Sequence, residues 1–289
     1  MLKGTVGNRI LFEKLHSVTK AKVIGVFSSG IYLEISDDVV LLYDAKWGVL
    51  PFGIALDDFQ GQGKNLGLEA GMPVWIEEDI LCLGDKLRIK IVYENLVIDN
   101  IDRDCLSCFL ERAKPELLKS ENATLLLYGF SDIDKLNKDE IEDIFSRAAY
   151  RGMTELSDAL IHDSNIENSV SKLIGLGRGL TPSMDDFICG MLFTFWFSEK
   201  SLHYSFPFLK QLSLSCKKLA KSNTNKFSAA YIISAADGED FSLMRKCFES
   251  SRDSSFPENI NKLLDLGSSS GADMLCGMCF ATNYILKHY

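Results

Sequence analysis

The run Gly175-Leu176-Gly177-Arg178-Gly179-Leu180-Thr181-Pro182-Ser183-Met184-Asp185-Asp186 gathers the side chains best suited to chemistry in this chain. Closely spaced glycines let the backbone turn sharply and approach another group. Thr181 is expected to cap a helix and Pro182 to be its first residue, where a missing N–H costs nothing. Free N–H groups at such a helix end, beside the Arg178 guanidinium, could hold phosphate or carboxylate. Asp185 and Asp186 follow within one turn, where an anion site has no need of them. That conflict points to chemistry beyond anion binding. The alternative for Arg178 is a side chain turned to solvent.

A shortened copy lies near the end of the sequence. Thr181–Phe193 aligns with Ser268–Phe280, pairing Thr181 with Ser268, Ser183 with Ser270, Asp186 with Asp273, Cys189 with Cys276 and Gly190 with Gly277. Each copy reads as a hydroxyl-rich cap, an Asp one turn in, and an apolar helix of small residues. Two buried helices with similar starts would look the same. The shared Asp argues for more, because a carboxylate inside an apolar helix must be neutralised, hydrogen-bonded or open to a cleft. A third polar helix start, Ser222–Ser228, includes Thr224 and Asn225 and reads either as a loop with a cap or as another wall of the same pocket. Gly48–Gly53 reads as a plain turn, a lid or a domain contact.

These motifs need a scaffold. Val18–Phe27, Ile31–Ile35, Val39–Tyr43, Val74–Ile76, Leu81–Leu83 and Leu87–Val92 have strand patterns with turns between them, which predicts a small barrel or sandwich. Ser28-Ser29-Gly30 and Ser36-Asp37-Asp38 are expected turns. From about residue 102 the period becomes helical, over Asp102–Lys114, Lys138–Tyr150 and 152–162, then 183–198, 206–221, 225–236, 239–251, 258–266 and 270–287. Pro115 and Pro257 are expected breaks. The fold class is therefore α+β, with a β-rich domain over 1–101 and a mainly helical domain over 102–289.

The chain has 289 residues and a net charge of −9, with no basic cluster, which argues against nucleic acid as the main partner. Its longest apolar stretch, Phe187–Phe197, is too short to cross a bilayer, so no membrane partner is expected. Eight scattered cysteines and no secretory signal fit a cytoplasmic protein with reduced thiols. Cys105-x-x-Cys108 and Cys276-x-x-Cys279 have the count of a zinc tetrad, but both lie in apolar helical patterns, as core cysteines would. No His or Lys stands out as a general base.

The pattern Gly175-x-Gly177-x-Gly179-Leu180-Thr181-Pro182-Ser183-x-Asp185-Asp186-Phe187-x-x-Gly190 resembles the signature of the AllH-like family. Ser268-Ser269-Ser270-Gly271-x-Asp273 resembles its second motif. Thr224-x-x-x-Ser228, with Ala235 and Gly238 downstream, resembles its hydroxyl-rich helix start, and Gly48–Pro51 its turn in the β region. Met184 stands where the family often has Gly, and Arg178 where it often has Pro. The resemblance covers about residues 20–285. It implies a subunit that acts with partner subunits in carbamoyl transfer between carbamoyl phosphate and oxamate or oxalurate, in purine or allantoin breakdown. The Ser-x-Arg-Thr phosphate loop of the aspartate and ornithine carbamoyltransferases is absent from the sequence.

The expected site then has Asp185, Asp186 and Asp273 in catalysis. Gly177, Arg178, Gly179, Thr181, Ser183, Thr224, Asn225, Ser268, Ser269, Ser270 and Gly271 would hold a small anionic substrate such as carbamoyl phosphate or oxamate. The cofactor is open; a Mg²⁺ ion on Asp185 and Asp186 is one reading. Two other functions fit the same residues: a phosphate- or nucleotide-binding regulatory subunit, and a Mg²⁺-dependent phosphoryl-transfer enzyme.

Overall fold

A computed structural model describes residues 1–18, 20–27, 30–36, 38–59, 63–94, 101–119 and 144–289. The expected turn residues Ser28, Ser29 and Asp37, and the 138–143 part of the expected helix Lys138–Tyr150, lie outside them. The chain forms two compact units: Met1–Ile98 with Asp240–Leu243, and Asp99–Glu239 with Met244–Tyr289.

The first unit is a nearly closed, barrel-like sheet. Its strands are β1 (Leu2–Val6), β2 (Ala21–Val26), β3 (Gly30–Ile35), β4 (Asp38–Asp44), β5 (Gly53–Leu56), β6 (Val74–Glu77), β7 (Ile80–Leu83) and β8 (Leu87–Tyr93), with the short helix α1 (Arg9–Leu15) after β1. They run in the order β2-β3-β4-β5-β1-β8-β7-β6. A bridge between Lys22 and Pro73, with the Val23 N–H donating to the Met72 carbonyl at 2.9 Å, brings the two ends together. The pairs β1–β8 and β4–β5 are parallel and the others antiparallel. Alternate residues point inward, as a barrel requires: Ile31, Leu33 and Ile35 from β3, and Leu87, Ile89 and Ile91 from β8, are buried in one core. The sequence pattern missed β1. Gly4 breaks its apolar alternation, and a Cβ there would press on the side chains of Ile54 and Ile89. The Gly48–Gly53 turn receives residue Ser242. The Val49 N–H donates to the Ser242 hydroxyl at 2.6 Å, and the Ser242 N–H donates to the Val49 carbonyl at 3.1 Å.

The second unit is helical, with α2 (Arg103–Lys119), α3 (Ile144–His162), α4 (Ile166–Ser171), α5 (Ser183–Leu202), α6 (Leu209–Asn223), α7 (Lys226–Ala236), α8 (Ser242–Glu249, whose first two residues belong to the first unit), α9 (Phe256–Leu264) and α10 (Ser270–His288). One expected break is absent. Helix α2 runs through Pro115. Pro115 and Glu111 are both exposed, so the carbonyl that loses its donor can turn to water. Helix α3 runs through Gly152, which packs against Leu173. Pro257, by contrast, sits in the first turn of α9, where it is tolerated.

Helices α5 and α10 are buried along most of their length, as expected for helices apolar on every side. They cross at van der Waals distance between backbones. A Cβ on Gly190 would strike the Met274 carbonyl, and one on Gly277 would strike the Phe187 carbonyl. The two contacts are reciprocal: Gly190 matches Gly277 and Phe187 matches Met274 in the internal repeat. The repeat in sequence is thus a local two-fold in space. Around it pack Phe187 against Phe280, and Phe195 against Phe206, Phe208 and Tyr284.

This crossing makes a prediction. Gly190→Ala or Gly277→Ala places a methyl against a main chain that cannot rotate away. Each should lower stability by roughly 1–3 kcal/mol or more, read by chemical denaturation. Gly67→Ala, where no atom stands within contact, is the control for backbone strain alone. Equal losses at Gly67 and Gly277 would remove the close-crossing argument.

Candidate functional site

The starts of α5, α7 and α10 come together. The hydroxyls of Thr181 and Ser270 share a hydrogen bond at 2.9 Å, which ties the entry of α5 to the first turn of α10. Asn225 caps α7, its side-chain oxygen accepting from the Phe227 and Ser228 N–H groups at 3.0 and 3.1 Å. Its amide nitrogen donates to the Leu180 carbonyl at 2.7 Å, which ties α7 to the glycine-rich loop.

Capping differs from expectation. Pro182 is extended, with ψ 138°, and is itself the cap residue, so α5 starts at Ser183. Thr181 is released from capping and reaches Ser270 instead. Asn225 caps α7, and Ser269 stands at the cap position of α10 without a side-chain capping bond. The free N–H groups expected at the start of α5 are also largely engaged. Met184 N–H donates to the Leu176 carbonyl at 3.1 Å, and Asp185 and Asp186 N–H groups donate to the Pro182 carbonyl at 2.9 and 3.3 Å. Arg178, exposed in the loop between Gly177 and Gly179, is the cationic donor at this end.

Asp185 and Asp186 part company, as consecutive helical residues must when one turn takes 3.6 residues. Asp185 faces α7. One of its oxygens accepts from the Gly175 N–H at 2.6 Å; the other accepts from the Thr224 hydroxyl at 2.5 Å and the Ser228 hydroxyl at 2.6 Å. Gly175 has φ 85°, and a Cβ there would strike the Asn223 carbonyl, so only glycine allows this bond. Burial pushes the Asp185 carboxyl above its ordinary value, and the three donors pull it back.

Asp186 faces α10. It is 1% exposed, and neither of its oxygens is in a hydrogen bond of regular geometry. The Thr181 and Ser270 hydroxyls lie beside it, bonded to each other. Burial holds this carboxyl well above its ordinary 3.8, the Asp273 carboxylate raises it further, and the two hydroxyls act in the opposite sense. Asp273 is fully buried at the matching place on α10, four residues before Gly277 as Asp186 is four before Gly190. Residues four apart share a helix face, so both aspartates lie on the crossing face. Burial and then the neighbouring aspartates push up the thiols of Cys189 and Cys276.

Of the other residues chosen from sequence, Ser183 and Ser269 are half-buried, Ser268 is exposed, and Gly271 is buried against the end of α9, its N–H on the Leu266 carbonyl at 3.0 Å. Asp185 and Asp186, read as a Mg²⁺ pair, face different helices. Among the described residues, no three His, Cys, Asp or Glu side chains are grouped to hold a metal ion, the two Cys-x-x-Cys pairs included. Ser228 belongs to the third motif but lies outside the expected site residues. Its spacing of four from Thr224 put both hydroxyls on one face. A separate open groove of about 430 Å³ lies beside α4 and α6, lined by Asn165, Glu167, Asn168, Ser171 and Gln211. None of the motif residues lines it.

The helical unit, with carboxylates and hydroxyls gathered where three helices start, is similar to a family of carbamoyltransferase subunits. The family is described as oxamate carbamoyltransferase subunit AllH, and it matches residues 173–282. That stretch runs from the glycine-rich loop to the last turns of α10, and it contains every motif residue of the helical unit. No solved structure matches the chain. Among the described residues, no helix is long and apolar enough to cross a membrane.

The two neighbouring aspartates should respond oppositely to substitution. Asp185→Ala leaves the half-buried Gly175 N–H and the buried Ser228 hydroxyl without their acceptor, and should cost roughly 1–3 kcal/mol. Asp186 has a folded-state value raised above its unfolded one. Its contribution to stability is therefore fully present below about 3.8 and is lost as pH rises through the raised value. Asp186→Asn removes that loss. Without ligand, its melting temperature should exceed that of the parent at pH 8, with the gap closing toward pH 4. A variant that melts lower than the parent at pH 8 would mean that the Asp186 carboxylate is a structural acceptor.

Proposed function

We propose that this chain is a carbamoyltransferase subunit of the oxamate type, with a small-molecule site at the starts of α5, α7 and α10. The observation that carries the reading is coincidence. The stretch similar to the carbamoyltransferase subunit family is the stretch that contains the convergent hydroxyls, carboxylates and glycine-rich loop. In this reading Arg178, the loop glycines Gly177 and Gly179, and the rim groups Thr181, Ser183, Thr224, Asn225 and Ser268–Gly271 hold the carboxylate of oxamate or the phosphate of carbamoyl phosphate. Asp186 and Asp273, buried behind Thr181 and Ser270, serve the nitrogen-bearing end through those hydroxyls, which can accept from amide N–H groups. Asp185 braces the loop and α7.

The chemistry asks mainly for position. The acceptor's amide nitrogen must be held against the carbamoyl carbon, with phosphate free to leave, and such orientation can supply much of a rate enhancement. The family name speaks of a subunit, so the reading includes partner chains, and it implies a cytoplasmic role in purine or allantoin breakdown.

Thermal shift with carbamoyl phosphate, oxamate, and ATP plus Mg²⁺ separates the readings. Stabilisation by the first two, and transfer once partner subunits are added, is expected. Stabilisation by ATP plus Mg²⁺ alone would indicate phosphoryl transfer, and phosphate binding without turnover a regulatory subunit. Arg178→Ala should cost about 1.5–3 kcal/mol of affinity for the anionic ligand, the worth of a charge-assisted hydrogen bond. The melting temperature should hardly move, because the side chain is exposed. Unchanged affinity by titration calorimetry would take Arg178 out of the site.

A further inference from the structure

Asp186 poses a problem that the fold does not solve. A carboxylate with both oxygens buried and unbonded costs several kcal/mol if it stays ionised. The local two-fold brings a second buried carboxyl, Asp273, onto the same crossing face. Asp185 and Cys189 on α5 and Cys276 on α10 are titratable groups that also face the pair. The charges that raise Asp186 are both carboxylates, those of Asp273 and Asp185. Two like charges in one dry place are relieved most simply by a proton held between them. Among the described residues, the hydroxyls acting on Asp186 are those of Thr181 and Ser270, which are bonded to each other and half-buried, so they reach from the closed crossing toward the rim.

We propose that Asp186 and Asp273 hold a single proton between them, and that the Thr181–Ser270 hydroxyl pair passes protons between this buried dyad and the ligand at the rim. The second half rests on the carbamoyltransferase reading. In that reaction the acceptor's amide nitrogen forms a bond to the carbamoyl carbon. The bond from that carbon to the phosphate oxygen breaks, and its electron pair leaves on phosphate. One N–H proton must then depart. The dyad, carrying one proton and one negative charge, takes it up through the hydroxyls and returns it to the leaving phosphate as hydrogen phosphate. Neither His nor Lys is needed. The dyad acts as one titrating unit with its own pair of apparent values, not as two separate acids.

Infrared spectroscopy tests the first half on the protein alone. At neutral pH the parent should show the C=O stretch of a protonated carboxyl, where exposed aspartates show none. Asp186→Asn and Asp273→Asn should each lose that band, and Asp185→Asn should keep it. No band in the parent, or a band that survives in both dyad variants, would overturn the shared proton. The second half is read with partner subunits present. Asp273→Asn should lower kcat about 100-fold or more, the usual worth of a general acid or base. Thr181→Val combined with Ser270→Ala should lower kcat and alter the pH profile. Parent-like kcat and pH profile in that double variant, with the band intact, would overturn the relay. If the parent and its partners transfer no carbamoyl group from carbamoyl phosphate to oxamate, the reaction step falls, while the shared proton stands or falls on the band.

Discussion

Two main chains in contact govern the helical unit. At the crossing of α5 and α10, Gly190 lies on the backbone at Met274 and Gly277 lies on the backbone at Phe187, so the two helices approach as closely as their carbonyls permit. The rest follows from that distance. Residues one turn back, Asp186 and Asp273, are pushed onto the buried face, because the same four-residue spacing that aligns the glycines aligns the aspartates. Residues just before them, Thr181 and Ser270, are near enough to bond. Side chains of ordinary size at the crossing would spread the helices and dissolve this arrangement.

Adjacent carboxylates meet opposite environments here. Asp185 has a backbone N–H and two hydroxyls, and behaves as a fastener between the glycine-rich loop, α5 and α7. Asp186, one residue on, has no regular donor and a like charge across the crossing. A 100° step around the helix separates a structural acid from a strained one. The strain is the sort that stable folds retain where they do chemistry. The match of residues 173–282 to a carbamoyltransferase subunit family falls on the same residues.

The two-part α+β architecture was legible because period two gives way to a helical period near residue 102, and burial follows both periods. Strand β1 was hidden by Gly4, which is selected by contact with Ile54 and Ile89 instead of by strand propensity. Pro115 looked like a break because its local preference is strong, but its exposure overrules that preference. At the site, the repeat revealed which residues belong together. Their wiring was not legible: Thr181 before a proline looks like a cap, and only the extended backbone of Pro182 shows that the role moved on by one residue. The direction in which Asp185 and Asp186 face depends on the rotation of α5 against α7 and α10, which no short stretch encodes.

The sheet order has a consequence for how the first unit forms during synthesis. Strand β1 sits between β5 and β8, paired in parallel with β8 from Leu2–Ile89 to Val6–Tyr93. Hairpins such as β3–β4 and β6–β7 can form as soon as they leave the ribosome, since their partners are adjacent. Residues 2–6 cannot. They must wait with an unpaired edge until residues 87–93 have emerged, and Asp240–Leu243, which belong to the same unit, arrive far later still. Such long-range pairing folds slowly. Until then the nascent barrel is a half-open sheet, and its first strand is the piece most in need of shelter.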